Sequence, residues 1–267
     1  MTVTHQLEPG QPVDLDNLST RGKDFHESRA GAEAESRELR QRLIDLQPRL
    51  YAEGNHKLLI VFQAMDAGGK DSHIRRVLKG VNPQGVSVTS FKVPSREELA
   101  HDFLWRIHKA VPAKGMIGVF NRSHYEDVLV VRVHDIVPEP VWRPRYQLIN
   151  DFEKMLVQTG TTILKFYLHI SKEEQRERFQ DRVDRPDKHW KFSFEDLEKR
   201  KLWDDYMVAF QEMLERTTTT HAPWYVIPAD QKWYSTLAVI RAIVGSLEEL
   251  NPQYPPPESD LSGVVVK

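Results

Sequence analysis

The stretch from Lys57 to Leu78 constrains the fold of this chain more than any other part of the sequence. It begins with a predicted strand from Lys57 to Gln63, which contains five consecutive apolar residues, Leu58 to Phe62, the pattern of a short strand buried on both faces. A glycine-containing turn follows at once, and the positions of Ile74 and Val77 then indicate a helix. A buried strand that runs through a tight turn into a helix opens a βαβ unit, so the sequence predicts an α/β fold.

The same alternation of strands and helices continues along the chain. Capping-box pairs, Ser95 with Glu98 and Ser171 with Glu174, mark two helix starts, and Pro186 stops the second helix. The other predicted elements are a helix over 34–51, strands over 86–93, 116–120, 162–170 and 224–227, helices ending near 112 and 183, a helix from about 193, and a last helix over 232–250. This order predicts a mainly parallel sheet covered by helices on both faces, which is a three-layer arrangement.

One domain over 31–251 accounts for all these elements. Residues 1–30 show no sustained period and predict an extended or mobile N-terminal arm, and residues 252–267, with three consecutive prolines, predict an irregular C-terminal tail. The chain has 267 residues, a formal net charge of −2 and no cysteine, which excludes disulfides and thiolate metal sites. No apolar run is long enough to cross a membrane and the first residues are not signal-like, so we expect a cytoplasmic protein with no membrane partner.

The turn after the first strand has the composition of a phosphate-binding loop. Its residues 63–72 read Gln-Ala-Met-Asp-Ala-Gly-Gly-Lys-Asp-Ser, and glycines there let backbone N–H groups converge on phosphate oxygens at a helix N-terminus. Ala64 replaces the usual first glycine, and Asp71 stands where Ser or Thr normally contacts magnesium. Asp66 or Ser72 can compensate, because Mg²⁺ prefers oxygen ligands. The candidate phosphate ligands are Ala67, Gly68, Gly69, Lys70, Asp71, Ser72 and Arg76. A glycine-rich turn with a solvated lysine is the alternative interpretation.

Polar residues also follow the third predicted strand, where ligands bind in open α/β sheets. Asn121 occupies the place where an Asp normally holds magnesium, and Arg122 can neutralise charge on a transferring phosphoryl group. The candidate acceptor or nucleotide contacts are Asn121, His124, Glu126 and Asp127, of which Glu126 and Asp127 are also candidate metal ligands. For these two acids, a helix start with exposed carboxylates is the alternative.

A basic segment lies further along the chain. Arg178, Arg182 and Arg185 have the spacing of one helix face, and Lys188 and Lys191 follow Pro186. The proline ends the helix inside the cluster, so we predict a lid over about 178–206 that closes on phosphates. The interleaved acids Asp181, Asp184 and Asp187 allow an ordinary salt-bridged surface helix instead. The histidines lack metal-ligand spacing, which argues against catalytic zinc.

Three segments together resemble the second polyphosphate kinase family over about residues 39–250. They are Met-Asp-Ala-Gly-Gly-Lys-Asp at 65–71, Phe-Asn-Arg-Ser-His-Tyr-Glu-Asp at 120–127 and Arg-Pro-Asp-Lys-His-Trp-Lys at 185–191. Asn121 with Glu126 and Asp127 resembles class III, whose members phosphorylate both AMP and ADP. The resemblance implies a P-loop nucleotide-kinase-like fold and transfer of phosphate from inorganic polyphosphate to AMP and ADP.

The resemblance also implies roles for individual residues. Lys70 and the loop amides would hold transferring phosphates, Asp66 would help to place Mg²⁺, with Mn²⁺ as a substitute, and Arg122, Arg178, Arg182 and Arg185 would stabilise charge along donor and acceptor. It further implies a dimer or tetramer. Two alternatives stay open on the residues alone, an ATP-dependent kinase and a non-catalytic P-loop nucleotide sensor. The sequence shows no stripe of aromatic and basic residues and no recognition motif, so we expect no nucleic-acid partner.

Overall fold

A computed structural model of the protein describes residues 4–262 and 264–266. Its sheet has five parallel strands in the order β2-β3-β1-β4-β5. The strands are β1 (Lys57–Gln63), β2 (Val86–Ser90), β3 (Ile117–Asn121), β4 (Thr161–His169) and β5 (Trp224–Pro228). The helices are α1 (Arg29–Glu53), α2 (Lys70–Val77), α3 (Arg96–Leu99), α4 (Trp105–His108), α5 (Val130–Val133), α6 (Glu139–Trp142), α7 (Arg145–Gln158), α8 (Lys172–Asp184), α9 (Phe194–Lys201), α10 (Trp203–Thr217) and α11 (Lys232–Leu250). The α/β fold predicted from the sequence is confirmed.

Helices cover both faces of the sheet. Nearly every residue of β1, β3, β4 and β5 is buried, and only the edge strand β2 is largely accessible. A strand in which successive residues are all buried has helices on its two faces, because neighbouring side chains point in opposite directions. Helix α11 packs against α1, α2, β4 and β5, whereas α7 packs against β4 and α10.

The sheet order places the two candidate loops side by side. Strand β1 lies between β3 and β4, and Phe62 of β1 is paired with Asn121 of β3 in the parallel ladder. The chain therefore leaves both strands at the same edge of the sheet, and the backbone N–H of Arg122 donates to the carbonyl of Phe62 over 3.1 Å. This edge is the topological switch point where α/β folds bind ligands.

Several boundaries differ from those predicted. The helix that starts at the Ser95 capping box ends at Leu99, and α4 follows as a separate turn after Asp102, whose carboxylate accepts from the N–H of Leu104. Strand β2 ends at Ser90, three residues early. Helix α7 was not predicted at all. Its buried residues Tyr146, Ile149, Phe152, Glu153 and Leu156 do have helical spacing.

The N-terminal arm is docked along β5. The N–H of Leu7 donates to the carbonyl of Trp224 over 2.8 Å, the N–H of Val226 donates to His5 over 2.9 Å, and Val13 and Leu15 are buried. Residues 1–3 of the predicted arm lie outside the described residues, as do 263 and 267 of the predicted tail. The described part of the tail has no helix or strand, and no helix among the described residues has the length and apolar character needed to span a membrane.

Candidate active site

The loop between β1 and α2 is a compact turn. The N–H of Gly68 donates to the carbonyl of Met65 over 2.9 Å, and a Cβ on Gly68 would lie 2.5 Å from that of Ala64. Gly69 has φ of 96° and forms the N-cap of α2. Both positions therefore need glycine, one for space and one for a left-handed backbone. The turn carries the α2 N-terminus, with its unpaired N–H groups, to the edge of the sheet.

Lys70 lies under this loop. Its side chain is buried, and Nζ donates to the carbonyl of Ala64 over 2.9 Å and contacts that of Met65 at 3.4 Å. Burial, and then the nearby charge of Arg122, lower the pKa of Lys70 to about 8, although Asp66 opposes the shift. The ammonium is therefore still charged at neutral pH, and polar backbone groups hold it within the loop.

Asp71 and Ser72 begin α2, and their side chains already have partners. Nδ2 of Asn121 donates to Asp71 Oδ1 over 2.5 Å, which links the ends of the two strands. The Ser72 hydroxyl donates to the carbonyl of Gly69 over 2.8 Å. The structure thus brings Asn121 to the loop, where it contacts Asp71.

Arg122 and Asp66 form the centre of the site. Arg122 has a left-handed backbone with φ of 61°, rare for a residue with a side chain, and its Nη2 donates to Asp66 Oδ1 over 2.5 Å. Lys199 of α9 lies 3.7 Å from the other carboxylate oxygen. Burial would raise the pKa of Asp66, but the charges of Lys70, Arg122 and Lys199 hold it below its ordinary value. The carboxylate is therefore ionised and surrounded by cations.

Glu126 lies beside this pair because a buried amide orients it. In the amide orientation that satisfies both of its polar atoms, Gln63 at the end of β1 donates to Glu126 Oε1 over 3.0 Å and accepts from Ser123. Glu126 lines the same small cavity as Asp66 and Arg122. This hydrogen bond holds Glu126, a predicted acceptor contact and candidate metal ligand, beside the phosphate loop, and the sequence analysis missed it. Gln63 was included in the loop segment but was given no role.

A wide cleft opens above the loop, with a volume of about 710 Å³. Ten of its twenty lining residues are basic and three are acidic. The basic residues are Lys70, Arg75, Arg76, Lys92, Arg122, Arg178, Arg182, Lys188, Lys191 and Lys232. We call this cavity the phosphate cleft. The net charge of the chain is only −2, yet basic side chains are concentrated around the phosphate loop. This local positive charge suits a ligand with many negative charges.

The basic segment contributes to the phosphate cleft unevenly. The Arg178 guanidinium is buried and donates to the carbonyl of Ala67 over 3.0 Å and to that of Ala229 over 2.6 Å, so it supports the loop from behind. Arg182 lines the phosphate cleft and pairs with Asp196 over 3.2 Å. Lys188 also lines it, paired with Asp181.

Arg185 is placed differently from its neighbours. It does not line the phosphate cleft, and its guanidinium forms an exposed bidentate pair with Asp187 at 2.9 and 3.1 Å. For Arg185 the structure favours the salt-bridged surface that the sequence left open as an alternative.

Two predicted acceptor contacts lie away from both cavities. His124 is fully buried, with Nε2 3.3 Å from Glu153, and Asp127 pairs with Arg145 over 3.0 Å. Burial raises the pKa of Asp127, against the effect of Arg145. Their side chains point into the packing behind the turn that carries Glu126, so the structure does not favour the direct acceptor contact predicted for His124 and Asp127 or the metal role predicted for Asp127.

His73 is a further residue that sequence reasoning missed. It is buried under the loop, where Nδ1 contacts the carbonyl of Gly69 at 2.9 Å and Nε2 contacts the hydroxyl of Ser235 at 2.6 Å. Burial lowers the pKa of His73 to about 4, so the ring is neutral and connects the loop to α11. Its only sequence signal was a histidine one helical turn after a loop glycine.

A second cavity joins the phosphate cleft at Asp66 and Arg122. It is lined by Glu126, by Gln175 of α8, and by residues of α9 and α10 such as Lys199 and Tyr206, and its volume is only about 30 Å³. That space holds about one water molecule. We call it the acceptor pocket because Glu126, one of the predicted acceptor contacts, lines it.

Among residues 4–262 and 264–266, no cluster of three or more histidine and carboxylate side chains surrounds a metal position. Asp66 and Glu126 nevertheless line the acceptor pocket together, next to the phosphate cleft. Mg²⁺ is commonly held by one or two carboxylates, substrate phosphates and water. The side chains present therefore fit a magnesium ion that binds together with phosphates.

Comparison with known proteins agrees with the resemblance that the three segments indicated. The AMP/ADP-polyphosphate phosphotransferase of Meiothermus ruber is 57% identical over 229 residues, 86% of each chain. The ADP-polyphosphate phosphotransferase of Rhodopseudomonas palustris is 48% identical over 266 residues, 95% of this chain and 92% of that relative. The crystal structure of polyphosphate kinase 2 from Arthrobacter aurescens TC1 superposes with a TM-score of 0.91 at 41% identity and covers 96% of both chains. The sequence model of the family Polyphosphate kinase 2 (PPK2) matches residues 26–255, and the chain belongs to this family.

Proposed function

We propose that the protein transfers phosphate from inorganic polyphosphate to AMP and ADP, giving ADP and ATP. The phosphate cleft is the observation that carries this proposal, because its ten cations surround a phosphate-binding loop and extend well beyond it. A nucleoside triphosphate has three phosphates, whereas a polyphosphate chain occupies a long cationic surface. The Meiothermus ruber and Rhodopseudomonas palustris relatives, named as polyphosphate phosphotransferases, support the same donor.

The transfer needs no covalent intermediate with the protein. A phosphate oxygen of the acceptor forms a bond to a phosphorus of the donor, the bond from that phosphorus to the bridging oxygen breaks, and a shorter polyphosphate leaves with the electron pair. Lys70 and the loop amides hold the phosphates, and Arg122, located where the two cavities meet, stabilises the charge that shifts between donor and acceptor. Catalysis is then positioning and electrostatic stabilisation.

Mg²⁺ is the cofactor that suits this chemistry, with Mn²⁺ as a substitute. Asp66 would hold it, with Glu126 as the second protein ligand, and the ion would supply charge neutralisation on the phosphates. The ion pair between Asp66 and Arg122 must then rearrange when substrates bind, since the same carboxylate oxygens are used.

Residues 178–206 are proposed to act as a lid. Helix α9 has no buried residue, and Trp190 and Phe194 are 78% and 79% exposed. The acceptor pocket between this segment and the loop is too small for a nucleotide as it stands. Opening of α9, whose Lys199 lies 3.7 Å from Asp66, would admit the acceptor, and closure would exclude water during transfer.

The deciding experiment is incubation with AMP, Mg²⁺ and long-chain polyphosphate without ATP, followed by separation of AMP, ADP and ATP. We expect ADP and then ATP to accumulate, and a chelator to stop the reaction. Product with a nucleoside triphosphate donor only would show an ATP-dependent kinase. Nucleotide binding without turnover on any donor would show a sensor.

The assembly state is part of the proposal. We expect a homodimer or homotetramer, as the family resemblance implies. Light scattering of the eluting protein after gel filtration measures the mass directly, and a mass equal to one 31.1 kDa chain at all concentrations would contradict it.

A further inference from the structure

A second basic cavity lies next to the phosphate cleft. It has a volume of about 460 Å³ and runs between α1 and the first turn of α11, with the start of α8 at one side. Its lining includes Ser36, Arg37 and Arg40 of α1, Arg76 of α2 and Lys232 of α11. We call this cavity the distal groove. None of the α1 residues belongs to the loop or basic segments that indicate phosphate binding.

The distal groove and the phosphate cleft meet at two side chains. Arg76 and Lys232 line both cavities. A ligand in the phosphate cleft can therefore continue past these two cations towards α1 without leaving a positively charged surface. The arrangement forms one cationic path from the loop to the N-terminal helix.

The positive charge of the distal groove is not neutralised by its own acids. Glu33 pairs with Arg29 over 2.8 Å, Glu174 pairs with Arg178 over 2.7 Å, and Asp230 accepts from the N–H of Ser171 over 2.8 Å. Arg37, Arg40, Arg76 and Lys232 have no ion pair within 4.0 Å among the described residues.

These free cations also affect one another. Burial, and then the charge of Arg37, lower the pKa of Arg40, and burial with the charges of Arg178 and Arg76 lowers the pKa of Lys232. Glu174 opposes the shift of Lys232, but five cations and only three acids line the groove, and a bound anion stabilises cations that are held close together.

Two buried polar atoms in the lining lack partners. The Ser36 side chain is 5% exposed, and its Oγ has no hydrogen-bond partner among the described residues. Nη1 of Arg76 is likewise buried without a partner there. Unpartnered buried donors are costly, and native proteins normally satisfy them with protein, water or ligand. Both atoms belong to side chains that line the distal groove, so a change of rotamer would turn them towards oxygen acceptors of a ligand there.

We propose that the distal groove binds the part of the polyphosphate chain that extends beyond the reacting phosphates. The inference rests on the proposed function, because the donor held in the phosphate cleft is the ligand that continues into the groove. A polyphosphate carries a negative charge on every unit and has only oxygen acceptors, which matches the guanidinium, ammonium and hydroxyl donors present. Short donors would end before Arg37 and Arg40, whereas long chains would reach them.

The test compares donors of different length in the variant Arg37→Gln/Arg40→Gln. For long-chain polyphosphate we expect KM to rise about fivefold, the effect of losing two partly exposed ionic contacts, with kcat unchanged. For tripolyphosphate we expect unchanged KM and kcat. The matched control is Arg42→Gln/Arg49→Gln, which removes the same charge from the same helix outside the groove.

A binding measurement without acceptor gives a second readout. The affinity for long-chain polyphosphate falls as salt rises, because binding releases counterions. In a plot of the logarithm of the binding constant against the logarithm of the salt concentration, the slope becomes shallower by about one for each phosphate contact removed. For long chains, the slope of the Arg37→Gln/Arg40→Gln variant should therefore be shallower than that of the unchanged protein by about two. The control variant should keep the slope of the unchanged protein.

Equal losses with tripolyphosphate and long chains, or no loss with either, would overturn the inference. Inorganic phosphate could instead compete with polyphosphate in the unchanged protein but not in the variant. That result would show that the distal groove binds single phosphate ions, and it would also overturn the inference. If the double variant does not fold, Arg37→Gln at an exposed position repeats the test. A protein without polyphosphate-dependent transfer at any chain length would refute the proposed function instead, so the two failures are distinguishable.

Discussion

Lys70 is the side chain on which the phosphate loop depends most. It is buried beneath the backbone of Ala64 and Met65, and its replacement removes one preorganised charge from the transfer site. We expect Lys70→Ala to lower kcat by about two to three orders of magnitude, with Arg122→Ala acting similarly. Steady-state kinetics with polyphosphate and AMP measures the loss, and thermal unfolding checks the fold. Near-normal turnover in a folded variant would make the loop purely structural.

The same lysine predicts an alkaline limit of activity. Its pKa is lowered to about 8, so the charged form predominates at neutral pH and is lost as pH rises through that value. We expect kcat/KM for polyphosphate to decline above about pH 8, since this ratio reports groups of the free enzyme. The residual activity of Lys70→Ala serves as the control and should show no decline over the same range. A flat profile in the unchanged protein up to pH 10 would contradict the assignment.

Glu126 is expected to set the preference between acceptors. It lines the acceptor pocket, where Gln63 orients it. AMP and ADP carry different phosphate charges, so this carboxylate either repels them unequally or holds a magnesium ion that compensates for the difference. In Glu126→Asn, kcat/KM for AMP and for ADP should change unequally at saturating polyphosphate. Glu198→Gln, an exposed substitution on α9, is the matched control. Equal losses would assign Glu126 to steps common to both acceptors.

Between elements, a buried ionic network supports the turn that carries Glu126. Nζ of Lys165 on β4 donates to Glu153 of α7 over 2.7 Å, to the carbonyl of Thr217 over 2.7 Å and to the hydroxyl of Tyr125 over 2.9 Å. Tyr125 in turn donates to Glu153 over 2.6 Å. The residue immediately before Glu126 is therefore anchored to two elements of the fold.

Breaking this network should cost stability. Lys165→Met leaves the carboxylate of Glu153 buried without its cation, and we expect the free energy of unfolding to fall by about 3–5 kcal/mol. The double variant Glu153→Leu/Lys165→Met removes both charges and should recover much of the loss. Denaturant unfolding of the two variants measures the difference. Equal destabilisation in both would show that packing, and not the unpaired charge, dominates.

Across the protein as a whole, the separation of charge predicts how ligands affect stability. The net charge is −2, yet the phosphate cleft and distal groove are strongly basic, so cations repel one another until an anion binds. Polyphosphate at about a hundred times its Kd should raise Tm by about 5–10 °C, and the shift should shrink as salt increases. Inorganic phosphate at the same total concentration is the control. An equal shift from it would contradict binding of an extended chain.

Local sequence patterns were sufficient for the framework of the fold. The bounds of β1 and α11 were predicted correctly, because a run of buried apolar residues and a long apolar periodicity are both encoded within one segment. Helix α7 had the same kind of signal in Tyr146, Ile149 and Phe152, but it was overlooked. The break between α3 and α4 depends on Asp102 capping a new turn, and such boundaries are the least reliable part of a sequence-based prediction.

The chemistry of the loop could also be read from the sequence, since Gly68, Gly69 and Lys70 are consecutive. The glycines act through their own backbone, and the Lys70 ammonium donates to loop carbonyls only five and six residues before it. Tertiary structure decided which more distant side chains meet them. Glu126 reaches the acceptor pocket while its neighbour Asp127 is turned to Arg145, because burial of Tyr125 fixes the direction of the whole turn. Arg37 and Lys232 line one groove although 195 residues separate them, because α1 packs against α11. Backbone preference is a local property, whereas convergence of charges is produced only by packing between distant elements.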